Sequence, residues 1–176
     1  DMINHHLKEL AEAKTPLDSV SIYLSLKGAY LNMLMFNEAQ ECLQYSYKTL
    51  DLLLNDTELD STDLAEVYRM AGNYMMEYGQ DPSSSYPYFT QAILLDPSDT
   101  ASYIFIMLLY TQYGGFDQAD SIAFALEQKF PGALSPYILH TQSVASRMYV
   151  ENAENPDALI ASCLDDIADL SYLNGL

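Results

Sequence analysis

Cations are scarce in this chain. Seven Lys and Arg stand against 25 Asp and Glu in 176 residues, for a net charge of -18. No basic residue falls between Arg69 and Lys129, and none follows Arg147. A phosphate backbone is gripped by many cationic side chains, so this balance excludes a nucleic-acid partner. It also works against adsorption to anionic lipid. Cysteine is nearly absent. Cys42 and Cys163 are far apart and neither sits in a CxxC, which reads as two separate, partly buried thiols. A disulfide between them requires their helices to meet, so the redox compartment stays open. Long apolar runs are missing too, which excludes a membrane-inserted segment. No signal-peptide pattern is visible. The chain opens on Asp1 rather than Met, which leaves open an upstream segment, or a place within a larger repeat protein. The expectation is a soluble protein, of the cytoplasm or of the periplasm after removal of such a segment.

What is present is apolar surface at helical spacing. Hydrophobic residues make up 49% of the chain, enough for a real core. The length fits one domain or one short repeat array. In "SVSIYLSLKGAYLNML", Val20, Tyr23, Leu24, Leu26, Tyr30, Leu31 and Leu34 recur at three- and four-residue steps and form a wide helical face. Strand-like alternation is hard to find. Thr15-Pro16, Ser135-Pro136 and Asn155-Pro156 each put a capping residue before a proline, and proline is tolerated in the first turn of a helix. The spacing predicts an all-α chain of short helices.

The helices arrive at a regular beat. Tyr68, Tyr103 and Tyr137 are 35 and 34 residues apart, and Pro97 and Pro131 are 34 apart. One unit runs Tyr103, Ile106, Met107, Tyr110, Ala119, Ala123, Pro131. The preceding one runs Tyr68, Ala71, Gly72, Met75, Ser85, Phe89, Ala92, Pro97, with one extra residue in "QDPSSS". An earlier one runs Tyr23, Leu26, Lys27, Tyr30, Ala39, Leu43. This pattern resembles the tetratricopeptide repeat, over roughly residues 20 to 150. The resemblance implies a right-handed α-solenoid of antiparallel helix pairs, with three to four units and terminal helices. It implies a single helical-repeat domain over 1–176: an N-terminal capping helix at 1–16, units at 20–53, 65–99 and 100–133, an acidic linker at 54–64, and a divergent fourth unit with a C-terminal cap at 134–176. Small Ala39, Gly72 and Ala119 are expected to let helices approach closely, with Tyr23, Phe89 and Tyr110 filling the space between them.

Signatures of catalysis and metal binding are weak. "YGGFDQ" lacks the GK[ST] ending of a phosphate loop and follows no strand, so Gly114 reads as the left-handed end of one helix and Phe116 as the start of the next packing face. "MFNEA", Met35 to Ala39, holds the same place in an earlier unit without glycine. "NDTELDSTD", 55–63, has the alternate acids of a calcium loop but no central Gly, and Val67 stands where a bidentate Glu is needed. A linker that caps the next helix is the simpler reading. His5 and His6 are adjacent and point to different helix faces, and His140 stands alone. No Ser, His and Asp grouping stands out. The expectation is no enzyme, no cofactor and no metal.

Stacked repeats of this type line a concave face with the first helix of each unit. The resemblance implies inward positions at Ser21, Leu24, Gly28 and Leu31, at Glu66, Arg69, Asn73 and Met76, and at Ala101, Ile104, Leu108 and Thr111. The last unit adds Ser135, Ile138, Gln142 and Ala145. Within the family, grooves that grip a C-terminal carboxylate use several Lys and Arg plus Asn. Here Asn73 and Arg69 match, but Leu24 and Ile104 stand where lysines are needed, and the net charge repels an anion. The expected ligand is therefore an apolar or amphipathic segment of another protein. Leu24, Leu31, Met76, Ile104, Leu108 and Ile138 supply apolar contact, and Arg69, Asn73 and Gln142 supply polar contact. Two other readings remain open: a small acidic chaperone for secreted or membrane-targeted proteins, and a ligand receptor or enzyme on a repeat scaffold. Self-association, which would cover several of these residues, also remains open.

Overall fold

A computed structural model describes residues 2–130 and position 161. The described residues form seven α-helices and no strand: α1 (Met2–Glu12), α2 (Pro16–Asn32), α3 (Phe36–Leu54), α4 (Ser61–Tyr78), α5 (Tyr86–Leu95), α6 (Thr100–Gln112) and α7 (Phe116–Lys129). A short 3-10 turn, Pro82–Ser85, precedes α5. The chain divides into two compact units, Asp1–Asp96 and Pro97–Leu176.

Capping chemistry sets the helix starts. Thr15 Oγ1 accepts from the Asp18 amide at 3.0 Å, and the Thr15 amide donates to Asp18 Oδ2 at 3.1 Å, a reciprocal box with Pro16 in the first turn. Asp60 Oδ1 accepts from the amides of Thr62 and Asp63, each at 2.9 Å, and so starts α4 from the acidic stretch. α3 ends at Leu54 and α4 begins at Ser61, so helix takes both ends of the 54–64 linker. Asp81 does the same work for the 3-10 turn through the Ser83 amide. Ser135-Pro136 and Asn155-Pro156 lie outside the described residues.

In the first unit each helix packs on the next, from α1 through α5. Val20, Leu50, Leu53 and Val67 form one buried cluster joining α2, α3 and α4. Further along, Ala71, Gly72, Phe89 and Ala92 bury between α4 and α5. In the second unit, Met107 of α6 packs on Ala119 and Ala123 of α7, with Tyr110 and Ile122 at the margin. The pattern positions Ala39, Ser85 and Ala119 are all buried, as close helix contact demands.

Two connections share one backbone. After α6, the Gly115 amide donates to Tyr110 O and the Gly114 amide to Thr111 O, with Gly114 at φ 76°. After α2, the Met35 amide donates to Tyr30 O and the Leu34 amide to Leu31 O, with Leu34 at φ 59°. Both are Schellman closures, which satisfy the last helical carbonyls. "YGGFDQ" is thus the turn expected of it, and "MLMF" makes the same turn with a leucine in the left-handed position.

Candidate functional site: the first-helix face

In the first unit, α2 and α4 are the first helices of their pairs, and side chains link them along their length. Near their starts, Ser21 of α2 and Glu66 of α4 line one cleft of about 350 Å³. Leu17, Leu53 and Leu59 supply its apolar wall, and Asp18, Asp56 and Asp63 its carboxylates. The hydroxyl and amide of Thr15 hold the Asp18 carboxyl below the usual carboxylate range. Near their ends, Lys27 Nζ hydrogen-bonds Tyr78 Oη, stands 3.7 Å from Glu77 Oε2, and lies 4.9 Å from the Tyr78 ring centroid. One cation thus ties α2 to α4 through a hydroxyl and a carboxylate.

Between these ends lie the residues that the repeat register selects. Leu24 is half-buried and packs against the Val20, Leu50, Leu53 and Val67 cluster, so part of its apolar surface serves the fold. Leu31, one residue from the end of α2, is 41% exposed. On α4, Arg69, Asn73 and Met76 are half-buried. Arg69 Nη2 lies 3.4 Å from Glu66 Oε1, three residues earlier on the same helix. That pairing offsets the one cation among the inward positions of α2 and α4.

In the second unit, Ile104 and Leu108 share a stripe of α6, four residues apart. Ile104 is half-buried and Leu108 is 37% exposed. Their neighbours Ser102, Ile106, Met107 and Leu109 are buried. A helix with an apolar core face therefore carries a second apolar stripe, exposed at Leu108 and half-buried at Ile104. Ile138 and Gln142, with Ser135 and Ala145, lie outside the described residues.

Two features escape a register-based reading. The turn after Leu31 continues as an uncovered apolar run, with Met33, Leu34, Met35 and Phe36 all exposed. Phe116 occupies the place of Phe36 in its own unit and is 3% exposed, whereas Phe36 is 63% exposed. Identical residue types in identical register give no local signal of that difference. The other feature is a group of tyrosines on α3, α4 and α5. Tyr47 and Tyr74 have ring centroids 5.1 Å apart, Tyr74 and Tyr78 5.2 Å, and Tyr68 and Tyr88 6.4 Å. Fifteen tyrosines in the chain were the available hint.

The remaining titratable candidates are occupied locally. His6 Nδ1 lies 2.7 Å and His5 Nε2 3.4 Å from the Glu9 carboxylate, which the His6 hydrogen bond holds below its ordinary pKa. Cys42 is a buried thiol, pushed up by burial and by the nearby Glu41. Cys163 lies outside the described residues. Among the described residues, no group of three His, Cys, Asp or Glu could hold a metal ion. No described helix is long and apolar enough to cross a membrane.

No protein-family model matches the chain, and no curated protein matches it. It is similar to a solved structure described as "Crystal structure of YrrB: a TPR protein with an unusual peptide-binding site", at 18% sequence identity and a TM-score of 0.49, over 98% of this chain and 80% of that one. At that level the likeness says nothing about a groove here. The described helices pack as consecutive pairs, α2–α3, α4–α5 and α6–α7, with Ala39, Gly72, Ser85, Phe89 and Ala119 buried and Tyr23 and Tyr110 half-buried.

Proposed function

We propose that this chain is a protein-interaction scaffold, and that the first-helix face takes an apolar or amphipathic segment of another protein. The observation that carries the reading is the exposure of Leu31 and Leu108. Each is a large apolar side chain left uncovered at an inward register position, on a helix whose opposite face is already buried. Met76 adds apolar surface within the first unit and Ile104 within the second, and Asn73 offers an amide to a ligand backbone. The Arg69–Glu66 pair and the carboxylates beside Ser21 disfavour an anionic ligand and favour one with basic residues beside its apolar ones.

The test uses exposed positions, so that lost binding is not lost folding. Leu24 and Ile104 are partly buried and are poor choices. Full-length protein and a Leu31→Glu, Leu108→Glu variant are used to capture partners from native extract. The captured segment is then synthesised and its affinity measured. The expected result is at least about tenfold weaker binding by the variant with unchanged helicity, as for loss of central apolar contacts. Equal affinity for both proteins rejects the proposed face.

A further inference from the structure

The second-helix side of the first unit holds a cleft that the proposed peptide face does not use. It opens between α3, α4 and α5 and has a volume of about 160 Å³. Tyr47, Tyr74 and Tyr88 form its aromatic lining, and Asp51 is its acidic lining residue. Leu50, Leu54, Ala71 and Met75 complete it. The volume is well below the roughly 300 Å³ at which pockets accept drug-sized ligands, so it suits one head group rather than a whole cofactor.

We infer that this cleft binds an alkylated ammonium group. Ring faces carry negative quadrupole charge and attract a cation placed over them. Asp51 adds a full negative charge, and the net charge of -18 adds a long-range field of the same sign. The apolar remainder favours a methylated cation. Acceptors for an N–H are confined to Asp51 and the tyrosine hydroxyls, and Leu50, Leu54, Ala71 and Met75 offer apolar surface for methyl groups to cover. A trimethylated nitrogen keeps the charge, has no N–H to satisfy, and buries its methyl groups favourably. Burial, with Tyr47 and Tyr78 nearby, raises the pKa of Tyr74 and keeps that ring a neutral phenol.

The chemistry is shared by a free quaternary amine and by a trimethylated lysine on a partner. Choline and a short peptide with one trimethyllysine represent the two sources. Each is titrated into full-length protein and followed by calorimetry, with 3,3-dimethylbutan-1-ol as the uncharged match to choline. The expected result is saturable binding of choline or the peptide, with the alcohol at least about tenfold weaker because it lacks the charge. The better of the two cations identifies the source. Asp51→Asn and Tyr47→Leu alter exposed side chains and should each weaken binding about fivefold with unchanged circular dichroism. Equal binding of the alcohol, no saturable binding of either cation, or indifference to both substitutions overturns the assignment.

Discussion

Gly72 of α4 and Phe89 of α5 meet so closely that a Cβ built on Gly72 would lie 2.8 Å from Phe89 Cε1 and 3.0 Å from Cδ1. Phe89 is fully buried, so the ring has no open space to move into. The missing side chain of one residue is the seat of the other.

Gly72→Ala is therefore expected to destabilise the protein by about 1–3 kcal/mol through overpacking. Helix propensity acts the other way, since alanine in a helix interior is favoured over glycine by about 1 kcal/mol. In a Phe89→Leu background the clash is relieved, and the same Gly72→Ala change should become neutral or stabilising. Urea unfolding of the four proteins checks this. Equal costs in both backgrounds would show that the Gly72–Phe89 contact is not the cause.

Leu34 holds a left-handed backbone that Gly114 holds in the matching turn. A leucine there is strained by about 1–2 kcal/mol, and at 73% exposure it recovers little by packing. Leu34→Gly should raise stability by about 0.5–1 kcal/mol, after allowance for the greater entropy of glycine in the unfolded chain. Gly114→Leu should lower it by about 1–2 kcal/mol. Thermal melting measures both. If the exposed Met33–Phe36 run also touches the partner, Leu34→Gly will weaken capture while raising the melting temperature, which marks the strain as kept for binding.

Alkaline pH should destabilise the fold at identifiable groups. For Lys27, burial works to lower the pKa, but the Tyr78 hydroxyl and Glu77 outweigh it and the net shift is upward. Burial raises Tyr74, and burial with Glu41 raises Cys42. A group raised in the folded state binds its proton more tightly there. Its contribution is fully present below the unfolded pKa and is lost as pH rises through the folded one. The loss should begin above about pH 8.5 with Cys42 and continue above about pH 10 with Lys27 and Tyr74. Growing negative charge acts in the same direction, so the comparison must use variants. Melting temperatures between neutral pH and pH ~11 should fall less steeply for Lys27→Met in the upper part of that range. Parallel curves for the variant and the native protein would remove Lys27 from the account.

Much of the local structure was legible in the residues themselves. Thr15-Pro16 announced a helix start, because a hydroxyl before a proline satisfies an orphan amide where the proline has none. The 34-residue beat placed Gly72, Ala39 and Ala119 at close contacts and Gly114 at a turn, because helix period and turn geometry depend only on neighbours in sequence. The repeat register also selected Leu31 and Leu108, which the fold leaves uncovered. Tertiary structure alone decided the rest. Leu24 is another inward position of the repeat yet packs on the Val20, Leu50, Leu53 and Val67 cluster, since burial depends on what another helix brings. Phe36 is exposed where Phe116 is buried, and Tyr47, Tyr74 and Tyr88 come from three helices to line one cleft with Asp51. Those placements arise from contacts between residues far apart in the chain, and periodicity along one helix carries no record of its neighbours.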